Sequence, residues 1–357
     1  MGAGTQTDAS AGSWLFEDDL VRLRVWGTDH VYPLPSATEA DVTIGTSETC
    51  AMRIADPDGV ISRTHCRLRF EHRTWVVRDL QSKNGTFIDG TRRDAGVIAP
   101  GVEIRIGKAT LLAESPRSIE LHGFLARLLG WRSDRRDSVD HALRAVRLAA
   151  TRRAALVLCG DGDLVPIAFD LHRRVFGAER PFVSCDPKRR ESEATVRSVQ
   201  NFTTGLAALD AARSGTLCVW SKRLPRDFND VAAALRHPSA QSQLVVVAHT
   251  PAEARSFIVA PIEIPSLRSR SGEVERIIDE YAAQALASWS VAGPFLPEDR
   301  AWVRTHSAES LLDIEKGTRR LVALRRSDSI AAAAALLGMA PASLQEWIGR
   351  RSLPKRV

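Results

Sequence analysis

Between residues 14 and 34 apolar and charged side chains alternate, with Val21, Leu23 and Val25 set against Arg22 and Arg24. A period of two predicts a strand with one face buried. Short runs of the same character follow at Val42–Ile44, Cys66–Phe70, Trp75–Asp79, Thr86–Ile88, Val102–Ile106 and Ala109–Ala113. Turn residues separate them: Pro57-Asp58-Gly59, Asn84-Gly85, Asp89-Gly90 and Pro100-Gly101. Asn-Gly and Asp-Gly suit turns that need positive φ. Many short strands broken this way predict a β-sandwich over residues 14–115, after a small, polar leader at residues 1–13.

Past Pro116 the period changes. Ile119–Trp131 is apolar at helical spacing, and Ser138–Thr151 sets His141, Leu143, Val146 and Leu148 against Arg144 and Arg147, an amphipathic helix. Apolar runs at Ala154–Cys159, Pro181–Ser184, Thr216–Trp220 and Leu244–Ala248 alternate with helical stretches such as Leu164–Val175. That alternation predicts a mostly parallel α/β sheet over residues 116–268. Val274, Ile277, Ile278 and Tyr281 share a helix face, and a helical lid is expected over residues 269–314, broken at Pro294–Pro297. Residues 315–357 read as three helices: Ile314–Leu324, Ile330–Leu337 and Pro341–Arg350. Gly338-Met339-Ala340 supplies a tight turn and Pro341 suits a first helical position, so the last two form a helix-turn-helix. Leu344 and Ile348 are expected to face inward, with Trp347 beside them.

Composition narrows the picture. The 357 residues are 44% hydrophobic and 26% charged, enough for several buried cores. The formal net charge is +6, and residues 316–357 hold nine Lys or Arg against two acids, a net of +7. The rest is therefore about −1, and a basic end on a near-neutral body points to nucleic acid. The five cysteines show no CxxC pair and no zinc spacing. They are expected to be buried thiols of a reducing cytoplasm. No signal-peptide pattern and no run of 18 apolar residues occurs, so no membrane span is expected.

Two loops carry the candidate chemistry of the sandwich. Ser62-Arg63-Thr64-His65 offers a hydroxyl, a guanidinium and an imidazole within four residues, and Ser82-Lys83-Asn84-Gly85-Thr86 offers an amide and backbone groups at a glycine turn. Together they suit an anion on an extended peptide. With Gly45, Asp89-Gly90 and Pro100-Gly101-Val102-Glu103-Ile104-x-Ile106-Gly107, this part of the chain resembles the forkhead-associated (FHA) domain, a reader of phosphothreonine peptides. The resemblance implies a phosphopeptide site at Ser62, Arg63, His65, Ser82, Lys83, Asn84 and Thr86. Ser62 would bond a phosphate oxygen, Asn84 would hold the peptide backbone, His65 would brace the first loop and Thr86 would support the second from inside. Thr46 stands where the family carries an arginine to the phosphate, and a charged bond is stronger than a neutral one.

The middle of the chain resembles the AAA+ domain of bacterial enhancer-binding (NtrC-like) regulators. Leu156–Asp161, Leu164-Val165-x-x-Ala168 with His172, Pro181-Phe182-Val183-x-x-Asp186, Ser214–Leu217, Leu244–Ala248 and Ile264-Pro265-x-Leu267-Arg268-x-Arg270 match in order and spacing. The phosphate-cradling lysine is missing, Asp161 and Asp163 stand in the loop instead, and Trp220-Ser221 replaces the acids that hold magnesium. No match to the family's sigma-contacting loop occurs between Asp186 and Ser214. The domain is thus expected to be degenerate, with no catalytic residues, metal or cofactor. Ala334-x-x-Leu337-Gly338-x-x-x-x-Ser343-Leu344 resembles the Fis-type DNA-binding end of the same regulators, with Ala340 in place of a polar cap. By that resemblance Ser343, Gln345, Glu346 and Arg350 reach bases or nearby backbone. Arg319, Arg320, Arg325, Arg326, Arg351, Lys355 and Arg356 would neutralise phosphate. The expected function is a cytoplasmic, non-enzymatic transcription regulator that binds DNA as a homo-dimer or higher homo-oligomer and takes its input from a phosphothreonine protein or another protein partner. The alternative is an adaptor or scaffold that contacts proteins and no DNA.

Overall fold

In the computed structural model, residues 19–35, 41–152, 154–193, 199–290, 293–351 and 353–354 are described. The chain divides into two compact units. The first runs to Ala126 and takes in Trp131–Ala154 and Leu171–Glu179; the second holds Arg127–Gly130, Ala155–Asp170 and Arg180 onward.

The first unit is the expected sandwich with helices added. Its strands are β1 (Arg22–Val25), β2 (Val31–Pro33), β3 (Asp41–Gly45), β4 (Met52–Arg53), β5 (Cys66–Glu71), β6 (Thr74–Asp79), β7 (Thr86–Ile88), β8 (Thr91–Arg92), β9 (Ala95–Ile98), β10 (Glu103–Ile106) and β11 (Ala109–Glu114). One sheet has the order β2-β1-β11-β10-β7-β8 and the other β4-β3-β5-β6-β9. The stretch read as one strand over residues 14–34 is two strands paired antiparallel, Arg22 opposite Pro33, because Gly27 turns the chain at φ +72°. Leu23, Ile44, Leu68, Val77, Ile104, Ile106 and Leu111 are fully buried between the sheets. At about 1.5–3 kcal/mol for each such side chain, they outweigh surface pairs such as Arg67–Asp41 and Arg69–Asp41, each worth at most about 1 kcal/mol.

Helix α1 (Pro116–Leu129) follows the last strand, and α2 (Arg136–Arg152) buries Val139, Leu143 and Val146. The arginines of the polar stripe of α2 are not solvent-facing ornaments. Arg144 makes two bonds to Glu103, and Arg147 pairs with Asp89 and donates to the Gly101 carbonyl. Asp140, wholly buried, takes Arg24 and the Gly27 amide, while Arg24 also reaches Glu114.

The second unit carries six parallel strands in the order β14-β13-β15-β16-β12-β17. These are β12 (Leu156–Cys159), β13 (Phe182–Cys185), β14 (Gln200–Phe202), β15 (Thr216–Trp220), β16 (Gln243–Ala248) and β17 (Ile262–Glu263). Helices α3 (Val165–Phe176, counted in this unit up to Asp170), α4 (Gly205–Ala211) and α5 (Phe228–Arg236) alternate with them. The rest is helical: α6 (Val274–Ser288), α7 (Pro297–His306), α8 (Leu311–Arg326), α9 (Ile330–Leu336) and α10 (Pro341–Gly349). The boundary drawn at 314/315 falls inside α8. No breaker interrupts Leu311–Arg326, and Gly317 lies where a Cβ would meet the Ser307 hydroxyl at 2.8 Å, so the glycine permits close approach rather than a stop.

Candidate functional site

The two loops of the sandwich meet, and their contact is built from the backbone outward. Gly45 ends β3 with no room for a side chain: a Cβ there would lie 2.2 Å from the Arg63 carbonyl. The next amides, Thr46 and Ser47, donate to the Ser62 and Arg63 carbonyls at 3.2 and 3.0 Å. Position 46 therefore lies beside Ser62. Ser62 donates its own amide to His65 Nδ1 at 3.1 Å, and His65 Nε2 reaches the Gly85 carbonyl at 3.2 Å. A ring protonated on Nε2 satisfies both bonds at once, so the buried His65 joins the first loop to the second. The Lys83 amide donates to Ser62 Oγ at 3.0 Å, and Asn84 Nδ2 donates to the Val60 carbonyl at 2.7 Å. Arg63, Lys83 and Asn84 are exposed and Ser62 is half-buried, while His65, Ser82 and Thr86 are buried.

A residue that the loop pattern does not single out holds this together. Asp79 accepts from the Ser82 amide and hydroxyl at 2.9 and 2.6 Å and from the Thr86 hydroxyl at 2.7 Å. Ser82 Oγ in turn accepts from the Gly85 amide at 3.0 Å. Burial alone pushes the Asp79 carboxyl up, but the hydrogen bonds from Ser82 and Thr86 prevail and hold it below its usual range. Its position three residues before Ser82, at the end of an alternating strand, is the signal that would have found it.

The cysteines are all buried thiols. Burial raises Cys66 to about 12 and Cys159 and Cys185 to about 11, which keeps them protonated and poor nucleophiles at neutral pH. Among the described residues, no group of three or more His, Cys, Asp or Glu could hold a metal ion, and no helix is long and apolar enough to cross a membrane.

In the second unit the loop after β12 lies at the carboxyl ends of the strands, where open α/β sheets place ligands. Asp163 accepts from the Val165 amide at 3.1 Å, so a carboxylate of the chain already sits on the first turn of α3. Arg189 pairs with Asp163 at 3.5 Å. Asp161, Asp163, Arg268 and Glu309 line a cavity of about 290 Å³ with Leu164 and Leu311. Arg270 is buried, bonded to Glu273 and to the carbonyls of Arg127 and Leu128. β15 ends at Trp220, and Ser221 begins the turn that follows.

At the basic end, Ser329 caps α9 by accepting from the Ala332 amide, whereas Ala340 gives α10 no side-chain cap. Leu344 and Trp347 are buried and Ile348 is half-buried, with Trp347 edge-on to Trp302 at 5.5 Å. Ser343, Gln345, Glu346, Arg326 and Arg350 are exposed. Several of the candidate phosphate contacts already have partners. Arg325 makes two bonds to the buried Asp299, Arg319 pairs with Glu315, and Arg350 pairs with Glu346. Arg320 and Arg351 lie over the Trp347 ring at 4.9 and 5.2 Å. Lys355 and Arg356, like the leader at residues 1–13, lie outside the described residues.

With this geometry in place, comparison with known proteins identifies part of the chain. Residues 42–107 match the family model of the FHA domain, and this part of the chain is an FHA domain. The glycogen accumulation regulator GarA of Mycobacterium tuberculosis is 38% identical over 55 residues, which is 15% of this chain and 34% of that protein. The match thus spans about a third of the relative's length. Two solved structures are similar at 27% identity. One, from a study of phosphothreonine-dependent FHA interactions, aligns with 27% of this chain and 96% of its own (TM-score 0.25). The other is the FhaA FHA domain bound to the intracellular domain of Rv3910, at 26% and 99% (TM-score 0.24).

Proposed function

We propose that this protein is a non-catalytic adaptor that captures a phosphothreonine protein through its FHA domain. The observation that carries the reading is the junction at Ser62. The Lys83 amide and the His65 ring fix this residue between two loops, with Asn84, Lys83 and Arg63 exposed around it. A tetrahedral anion seated there would find a hydroxyl, a backbone amide and two cations within reach, and Asn84 could exchange its bond to Val60 for one to the ligand backbone. The regulator GarA, similar over this stretch, supports a signalling role. Fluorescence anisotropy with a phosphothreonine peptide library tests it. Ser62→Ala and Asn84→Ala are each expected to weaken binding about tenfold, near the free energy of one charge-assisted hydrogen bond. Equal affinity for phosphorylated and plain peptides would contradict the reading.

The second unit fits a degenerate AAA+ domain that hydrolyses no ATP, because Asp163 occupies the helix start where phosphate would sit. A DNA-binding regulator is the second reading, favoured by the exposed Ser343 and Gln345 on a helix that follows a tight turn, with exposed Arg350 at its C-terminal cap. In a mobility-shift assay, salt-sensitive binding by the full chain that Gln345→Ala with Arg350→Ala abolishes would support it. Absence of DNA binding at low salt leaves the adaptor.

A further inference from the structure

The cavity in the second unit, between the loop after β12 and the start of α8, is closed at its base by backbone contact. Ile264 donates its amide to the Cys159 carbonyl at 2.7 Å, and a Cβ added to Gly160 would lie 2.9 Å from the Ile264 carbonyl. Asp161 and Arg268 follow these two touching segments and line one cavity with Glu309, which precedes α8. All of them belong to the second unit. The floor is apolar, since Leu164, Ile264, Leu267 and Leu311 are buried. The rim carries both signs of charge. Asp161, Arg268 and Glu309 are exposed, and among the described residues none of the three makes an ion pair or a side-chain hydrogen bond. The remaining charge, Asp163, is engaged: it accepts from the Val165 amide and pairs with Arg189.

Size and charge together select a ligand. A volume of about 290 Å³ holds about ten waters at their liquid share of about 30 Å³ each, hence a ligand of about ten non-hydrogen atoms. Two carboxylates and one guanidinium suit a molecule that carries an ammonium and a carboxylate, and the apolar floor suits a hydrocarbon side chain. Leucine and phenylalanine have all three features. A polyphosphate would meet one cation and two repelling carboxylates. We propose that this cavity binds a free apolar amino acid, with its carboxylate on Arg268, its ammonium on Asp161 and Glu309, and its side chain against Leu164, Leu267 and Leu311. Arginine grips a carboxylate through two parallel bonds, and an ammonium has three donors to divide between two acids. The ligand fastens the start of α8 to the loop after β12, so it stabilises the second unit by mass action. This inference is independent of the phosphothreonine grip in the first unit.

Titration calorimetry of the full chain tests it, with leucine, isoleucine, methionine and phenylalanine as probes. At least one of them is expected to bind saturably. Its amide, which lacks the carboxylate, and its N-acetyl form, which lacks the ammonium, should each bind about tenfold more weakly, the loss of one charge-assisted hydrogen bond. Arg268→Gln should weaken the amino acid about tenfold and leave the amide unchanged. Asp161→Asn combined with Glu309→Gln should weaken the amino acid to the same degree and leave the N-acetyl form unchanged. Circular dichroism checks that these exposed substitutions keep the fold. A second readout needs no variant: the melting temperature of the native chain should rise with the free amino acid more than with its amide or N-acetyl form. No saturable binding by any of the four probes, an amide that binds as well as the free acid, or a preference that survives Arg268→Gln overturns the inference. Tighter binding of magnesium ATP than of any amino acid also overturns it and returns the cavity to a nucleotide.

Discussion

Asp79 shows how a single carboxylate can set a recognition loop. Its loss in Asp79→Ala leaves the buried Ser82 and Thr86 hydroxyls without an acceptor, and unsatisfied buried groups cost about 1–3 kcal/mol. Chemical denaturation should show that loss, with peptide affinity falling alongside. The pH dependence follows from the direction of the shift. A carboxyl held below its unfolded value contributes stability above that value, about 3.9 for Asp. The contribution is lost as pH falls through the lower folded value. Asp79→Asn should therefore flatten stability below about pH 4 relative to the native chain. Position 46 offers the converse experiment. Its amide is bonded to the Ser62 carbonyl, so an arginine placed there starts beside the phosphate seat. Thr46→Arg should raise phosphopeptide affinity by about tenfold or more, the worth of one charged hydrogen bond. No gain in titration calorimetry would mean that the seat for phosphate lies elsewhere.

At the scale of elements, α2 belongs with the sandwich, and charge explains why. Arg24 and Asp140 are both buried and bonded at 2.5 and 3.1 Å. Asp140→Ala leaves the buried Arg24 with Glu114 as its remaining carboxylate and takes the acceptor from the Gly27 amide, which costs about 1–3 kcal/mol. Thermal unfolding of the full chain should register a lower first transition, while the loop site, built from other residues, should keep its phosphate preference wherever the variant is folded. Little of this clamp was legible beforehand. The period of α2 marks Leu143 and Val146 as inward, but Arg144 and Arg147 look like any solvated stripe, and their partners Glu103 and Asp89 are 41 and 58 residues away. Short strands escaped for a related reason: Met52–Arg53 and Thr91–Arg92 are two residues each, too brief to show a period. The loops themselves were readable because local chemistry dictates them, glycine at 45 and 85 by close approach and positive φ, serine and asparagine by their hydrogen bonds.

For the molecule as a whole, the proposed function joins a phosphothreonine grip in the FHA domain to an α/β unit without nucleotide turnover. The self-capped loop at Asp163 predicts no ATP turnover above background, measured by phosphate release from the full chain, and turnover that disappears on Asp163→Ala would point to chemistry at that loop. The basic end is more committed to its own fold than its charge suggests, because Arg325 holds Asp299 and two arginines stack on Trp347. The central claim is the grip. Titration calorimetry of the full chain with one peptide, phosphorylated and plain, tests it most directly. Saturable heat with the phosphothreonine form only, lost in Ser62→Ala, is the predicted result; identical isotherms for the two peptides would contradict the account.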